Sequence, residues 1–420
     1  MAHQAGARRR VRPICSFAPA IRALAGAAAA TATLFAAAWP LPAAADDAAP
    51  ASPVFVNDVE ASLVRAITSL RESGLRHAMS EIDLALARTP NFRLGHLIKG
   101  DLLMARSGKP VAFGTSVPAG TAGIAPLQDE ARARLRRYLD APPDDHLPLP
   151  VMQLSPGQSH AILIDTARSR LFVFANRDGM PRYVTDFYVS VGKNGVDKQR
   201  QGDQKTPLGV YRIVSSREKL PDFYGPGAFP ISYPNEWDRI LGRNGYGIWL
   251  HGTPSETYSR PPRATDGCVV LANEDLNRLA RYVDVGRTPV VISAGVEWAA
   301  PDRWAEGRRD FLAAFEQWRT DWESLDTDRY LSHYARQFQS EGRDLAAWAA
   351  HKRKVNAGKA WVKVGVSDLS AYGHPGGEEL VVVTFDQDYR SSNLSNRTTK
   401  RQYWTRDKGL WRIVFETVIS

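Results

Sequence analysis

The chain has 420 residues, 54 Lys and Arg against 45 Asp and Glu, 44% hydrophobic and 24% charged residues, and two cysteines. That length calls for two or three domains, and the balance is that of ordinary globular protein, which excludes a wholly disordered, collagen-like or many-spanning membrane chain. The net charge of +9 is not a nucleic-acid signature: Arg8, Arg9, Arg10, Arg12 and Arg22 all precede the first acidic residue, and with those five set aside the excess falls to four.

Residues 1–45 read as a secretory signal peptide. A basic start leads into an uncharged, Ala-rich stretch from Ala23 that ends in Pro40, Pro42 and Ala43-Ala44-Ala45, the order of a cleavable leader. Export across the inner membrane into the periplasm is the expectation. Cleavage would remove Cys15 and leave Cys268 without an internal disulfide partner, so this lone thiol outside the cytoplasm is a candidate reactive group.

Residues 46–145 read as helical. Leu75, Ala78, Met79, Ile82 and Leu86, and after Pro90 the run from Phe92 to Leu103, predict a helical hairpin that resembles a tetratricopeptide-type unit. Another helix is predicted over Asp129–Leu139, with Arg132, Arg134, Arg136 and Arg137 as a solvated face. Residues 108–126 form a Gly/Pro/Ala-rich loop, and Pro142, Pro143, Pro148 and Pro150 mark a linker.

From 151 to 295 the texture changes to short β-rich runs separated by Gly, Pro, Asn and Asp, with one helix over Asn273–Tyr282, which predicts a mainly-β domain. Residues 300–420 open with Phe311, Phe315, Trp318 and Trp322 on one helical stripe. Val381, Val383 and Phe385, then Trp411, Ile413 and Phe415, alternate with polar residues, so the prediction is an α+β domain whose sheet has one covered face.

The densest reactive cluster runs from Leu250-His251-Gly252 to Thr265-Asp266-Gly267-Cys268, between β-rich flanks. An imidazole that takes the proton of a thiol makes it a nucleophile, and Gly267 would leave backbone N–H groups free to face an oxyanion; the expected chemistry is acyl transfer through a thioester. His251, Asp266 and Cys268 could instead bind zinc, but three ligands without a recognised spacing give a weak metal signal.

This segment resembles the catalytic motif of the L,D-transpeptidase family with the YkuD-type domain, and Ser190-Val191-Gly192-Lys193 and Lys205-Thr206-Pro207-Leu208-Gly209-Val210-Tyr211 resemble a second family segment upstream. The resemblance covers 151 to 295. It implies catalysis by Cys268 with His251 as base, oriented by the carbonyl of Gly252, and Gly267 beside the sulfur. Asp266, Thr265, Lys205, Arg263, Tyr246 and Trp249 are candidate substrate contacts, and Lys193 and Arg243 could also face stem carboxylates. Asp266 stands where the family usually has a second histidine; a carboxylate there would oppose the thiolate, so it should turn away from sulfur toward Arg263 or a substrate amine.

The implied substrate is a peptidoglycan stem tetrapeptide. The peptide bond after the L-centre of diaminopimelate is attacked, D-Ala leaves, and the acyl group passes to an amine, which is transpeptidation, or to water, which is L,D-carboxypeptidase trimming. Residues 300–420 resemble the cone-shaped nuclear transport factor 2-like (NTF2-like) fold, and the three-part layout resembles cell-shape-determining L,D-carboxypeptidases. A non-catalytic peptidoglycan-binding scaffold is the remaining alternative, although both nucleophile and base are present. One of the outer domains is expected to form a homodimer or bind a protein partner. No nucleotide or organic cofactor pattern follows a predicted strand, and no metal or nucleic acid is expected.

Overall fold

The computed structural model describes residues 58–72, 74–108, 113–114, 116–117, 123–141, 145–376 and 379–419. The expected signal segment lies outside them, with Cys15, Pro142 and Pro143. Among the described residues no helix is long and apolar enough to cross a membrane.

Four helices form the N-terminal layer: α1 (Asp58–Glu72), α2 (Leu75–Arg88), α3 (Arg93–Arg106) and α4 (Ile124–Leu139). Three helices, rather than a simple hairpin, precede the loop, because Gly74 at φ +83° lets the chain reverse between α1 and α2. Leu63, Ala78, Ile82, Ala85, Leu94 and Ile98 close one core, which also takes in Tyr258 and Ala272 from the following domain. The helical layer is therefore docked rather than tethered.

The predicted solvated arginine face of α4 is only half right. Arg132 and Arg136 are exposed, but Arg134 is 2% exposed and ion-paired to Glu60 and Glu130, and Arg137 reaches Asp186 at 2.7 Å. Arg134 falls on the inner side of the helix, where two carboxylates are already buried; sequence spacing alone could not place those partners.

The middle of the chain is mainly β. A five-stranded sheet runs in the order Met180–Tyr188, Arg170–Arg177, His160–Asp165, Pro289–Ser293, Gly209–Arg212, antiparallel except for the parallel pair His160–Asp165 with Pro289–Ser293. Ile162, Ile164, Leu171, Val173, Val290 and Ile292 bury one face of it. Packed on that face is a smaller sheet, Val269–Val270, Trp249–His251 and Ala228–Pro230. Here the central strand is parallel to Val269–Val270 and antiparallel to Ala228–Pro230.

In the C-terminal part, helix Pro301–Glu323 lays Phe311, Phe315, Trp318 and Trp322 on a seven-stranded sheet, against Phe385 and Trp404. The sheet differs from expectation in having two covered faces. Leu380, Val381, Val382 and Val383 are all buried, because Val382, Tyr403 and Phe415 pack against Phe172 and Phe174 of the middle sheet and Trp237 of the short helix Glu236–Ile240. Trp237 stacks on Tyr403 at 4.9 Å. Val151–Gln153 adds an outer strand to this C-terminal sheet, so the chain crosses between layers before the first strand of the middle domain.

Candidate active site

The register of the small sheet sets Val270 beside His251 and Val269 beside Leu250, so Cys268 enters the strand next to the one that ends in His251. Val269, Val270 and Leu250 are buried, which fixes the floor beneath both groups. Sixteen residues of intervening chain return through Arg263–Thr265, which pairs in parallel with Val191–Gly192.

His251 is 2% exposed and lies between Tyr224 at 5.1 Å and Phe223 at 6.0 Å. Its Nδ1 is 2.7 Å from the Gly252 carbonyl, which can only accept, so Nδ1 carries the proton and Nε2 is left with a lone pair. Burial, opposed by the Gly252 carbonyl and aided by the Arg260 charge, lowers the imidazole to about 4. The ring is a neutral base at neutral pH.

Cys268 is half-buried. Burial raises its thiol; the Trp249 amide and the positive charge of Arg260 work against that, and Asp266 works with it. The sulfur donates to the Gly247 carbonyl at 3.3 Å. Cys268 thus immediately precedes the strand that runs beside the one ending in His251; both side chains are neutral, and the thiol proton is directed to backbone rather than to the ring.

Gly252 and Gly267 are required by shape. A Cβ on Gly252 would collide with Asn273 Oδ1. At Gly267 φ is +126°, and a Cβ would stand 2.8 Å from the Lys205 carbonyl. The Gly267 amide donates to Thr265 Oγ1 at 3.1 Å, so it is not free for an oxyanion as expected. Thr265 is spent in the same turn, its hydroxyl donating to the Cys268 carbonyl at 2.7 Å.

Asp266 is 75% exposed and turned toward a cation, but the cation is Lys193, Nζ to Oδ1 at 2.9 Å, and not Arg263. Arg263 is exposed on the groove against α4. Arg243 is taken up by Asp197 at 2.8 Å and Asp238 at 3.5 Å, Tyr246 is 74% exposed, and Lys205 offers its carbonyl as the wall behind Gly267. The half-buried Trp249 stacks obliquely on Tyr224 at 5.0 Å and lies under the Arg217 guanidinium at 4.9 Å. Among the described residues no group of three or more His, Cys, Asp or Glu is arranged to hold a metal ion.

Sequence reasoning missed several residues that build the site. Thr206, fully buried, accepts from the Gly192 amide at 2.9 Å and donates to the Gly267 carbonyl at 3.0 Å, which ties the upstream segment to the cysteine turn. Asn273 Oδ1 accepts from the Thr253 amide at 2.8 Å, steadying the chain after Gly252. Arg260 places its guanidinium 4.8 Å from the Phe223 ring, beside His251. The one signal for Arg260 was a cation within the His-to-Cys loop.

Residues 159–292 match the model of the L,D-transpeptidase catalytic domain (YkuD), and residues 310–417 match the Cds6 C-terminal NTF2-like domain. The "Putative L,D-transpeptidase YafK" of Escherichia coli (strain K12) is 31% identical over 86 residues, 20% of this chain and 31% of the relative, so the match spans about a third of that protein's length. Among solved structures, Bdellovibrio bacteriovorus Bd1075 is 28% identical with a TM-score of 0.59, covering 65% of this chain and 98% of that one. The helical cell shape determining protein Pgp2 of Campylobacter jejuni is 27% identical with a TM-score of 0.56, covering 64% and 94%. The chain therefore carries an L,D-transpeptidase catalytic domain of the YkuD type joined to a C-terminal NTF2-like domain, in the same layout as Pgp2.

Proposed function

We propose that the protein is a peptidoglycan L,D-transpeptidase that uses Cys268 as nucleophile and His251 as base. The observation that carries the reading is the imidazole held neutral with Nε2 unprotonated, on the strand beside the cysteine, in a chain whose catalytic domain matches this family. Peptidoglycan is extracytoplasmic, so the enzyme acts outside the cytoplasm.

The reaction begins when substrate draws the sulfur off the Gly247 carbonyl toward the ring. Sγ attacks the carbonyl carbon between diaminopimelate and D-Ala while its proton passes to His251 Nε2. The C–N bond breaks, the imidazolium returns that proton to the departing amine, and D-Ala leaves a thioester on Cys268. Attack by an amine of a neighbouring stem then forms a cross-link and restores the thiol. Delivery of water instead gives a tripeptide; the three-part layout, which resembles cell-shape-determining L,D-carboxypeptidases and is shared with the helical cell shape determining protein Pgp2, supports this second reading.

The test is digestion of purified sacculi and disaccharide tetrapeptides, with products resolved by mass. New cross-links formed together with free D-Ala support transpeptidation, and tripeptide formed together with free D-Ala supports trimming. If neither product forms, or if a Cys268→Ala variant makes the same products, the reading fails.

A further inference from the structure

We propose that Arg260 anchors the free C-terminal carboxylate of the peptide whose bond is cleaved, and so restricts the site to the last residue of a stem. The proposal rests on the acyl-transfer reading given above. Its starting point is an arginine that is half-buried yet has no carboxylate within ion-pair distance among the described residues. Arg134 and Arg170, which are buried, and Arg137 and Arg243, which are half-buried like Arg260, each have at least one such partner. A guanidinium partly withdrawn from water, which feels the Asp266 charge but forms no close ion pair of its own beside the reactive pair, is poised for an incoming anion, and its planar fork suits a carboxylate.

Its place in the fold is tightly fixed. The backbone carbonyls of Arg260 and Pro261 accept from Tyr188 Oη at 2.9 Å and Ser190 Oγ at 2.5 Å, and the Pro262 carbonyl accepts from the Val191 amide. On the other side Ser259 Oγ donates to Glu130 at 2.6 Å and Tyr258 packs edge-on against Phe92 at 4.8 Å. The guanidinium then lies over Phe223, the ring that also borders His251. Its charge reaches both members of the reactive pair, lowering the imidazole and opposing the rise of the thiol. In a C-terminal D-amino acid the carboxylate is attached to the same carbon as the leaving nitrogen, so its anchor must stand close to both nucleophile and base. Arg260 meets that requirement. Lys193 is already committed to Asp266.

The experiment compares wild type with Arg260→Gln and Arg260→Lys on a stem tetrapeptide with a free carboxylate and on the same peptide as its C-terminal amide. A charge-assisted bond of ordinary strength corresponds to a preference of about 10–100-fold in kcat/KM for the acid. In R260Q the ratio should fall to about one, with R260K between. In parallel, alkylation of Cys268 by iodoacetate and by iodoacetamide, followed on the Cys268 peptide, reads the same charge without any peptide substrate. The acetate-to-amide rate ratio should drop roughly three- to tenfold in R260Q. An unchanged ratio in both assays overturns the proposal. If wild type turns over neither peptide, the acyl-transfer reading is what fails, and the alkylation ratio still decides whether Arg260 attracts a carboxylate. Should R260Q not fold, R260K carries the test: it keeps the charge without the fork, and an acid-to-amide preference equal to wild type rejects bidentate anchoring.

Discussion

Two polar regions of the protein lie on opposite sides of the loop between His251 and Cys268, and they are built on opposite rules. Behind the loop, Glu60, Glu130, Arg134, Arg137, Arg170 and Asp186 form a buried network in which every charge has an opposite neighbour. Burial pushes Glu60 up, but Arg170 and Arg134 more than offset it and hold the carboxyl below its ordinary range; for Glu130 burial wins over Arg134 and Ser259. In front of the loop, His251 and Cys268 are kept neutral by burial, and Arg260 has no carboxylate within ion-pair distance among the described residues. Matched charge makes scaffold here, whereas groups left unsatisfied are the ones available for chemistry.

The largest effect expected from breaking this contrast is on the reactive side. Cys268→Ala should lower turnover of muropeptides by at least about 10³-fold, and His251→Ala by about 10²–10⁴-fold, since each removes one role of a unit that acts together. Thermal midpoints close to wild type would show that chemistry, not folding, was lost. Residual activity within tenfold of wild type in C268A would move the nucleophile elsewhere.

The matched side should respond in stability instead. Glu60→Ala strips two arginines of a shared carboxylate, Arg170 and Arg134, both about 2% exposed. Removing one member of such a buried set costs about 3–5 kcal/mol, read as a lower urea midpoint at unchanged slope. A loss below about 1 kcal/mol would mean that solvent enters the network and that the helices are held by their apolar core alone.

The same contrast explains what could be read from the sequence. Phe311, Phe315, Trp318 and Trp322 announced their helix because a stripe of large apolar residues has one physical meaning. His251, Gly252, Gly267 and Cys268 were legible through a motif. Arg134 was misread, and Thr206 and Arg260 were missed as functional, because burial and pairing of a polar side chain depend on partners distant in sequence: Glu60 lies 74 positions before Arg134, and the Thr206 hydroxyl meets Gly267 across 61. The doubly buried run Leu380–Val383 did carry a signal, four apolar residues in succession, which departs from the alternation of a half-exposed strand.

Acid should act on the two regions in different pH windows. His251 titrates near 4 in the fold against about 6.5 when unfolded, so between those values the unfolded chain binds more protons and stability falls as pH is lowered. Above about 6.5 both states are neutral and the contribution is absent; at pH 4 the loss approaches about 3 kcal/mol. Glu60, held below its ordinary range, acts in the same direction at still lower pH. Urea midpoints measured from pH 7 to 4 should therefore fall in wild type and fall less in His251→Gln. Parallel curves would mean that the ring is not desolvated.

The smallest effect belongs to the hinge between the regions. Ser259 gives its hydroxyl to Glu130, and this is the polar contact through which the scaffold holds the residue before Arg260. Ser259→Ala leaves Glu130 with Arg134, so the stability change should be about 1–2 kcal/mol, the size of one hydrogen bond to a charged group. Because Tyr258 still packs on Phe92, the loop should stay docked but loosen at its next residue. Faster hydrogen exchange across 254–262, with a few-fold lower kcat/KM and unchanged thiol reactivity toward iodoacetamide, would locate the effect in positioning rather than in the nucleophile. Exchange as slow as in wild type would assign the grip on this loop to the Tyr258 ring and leave the Ser259 hydroxyl without a positioning role.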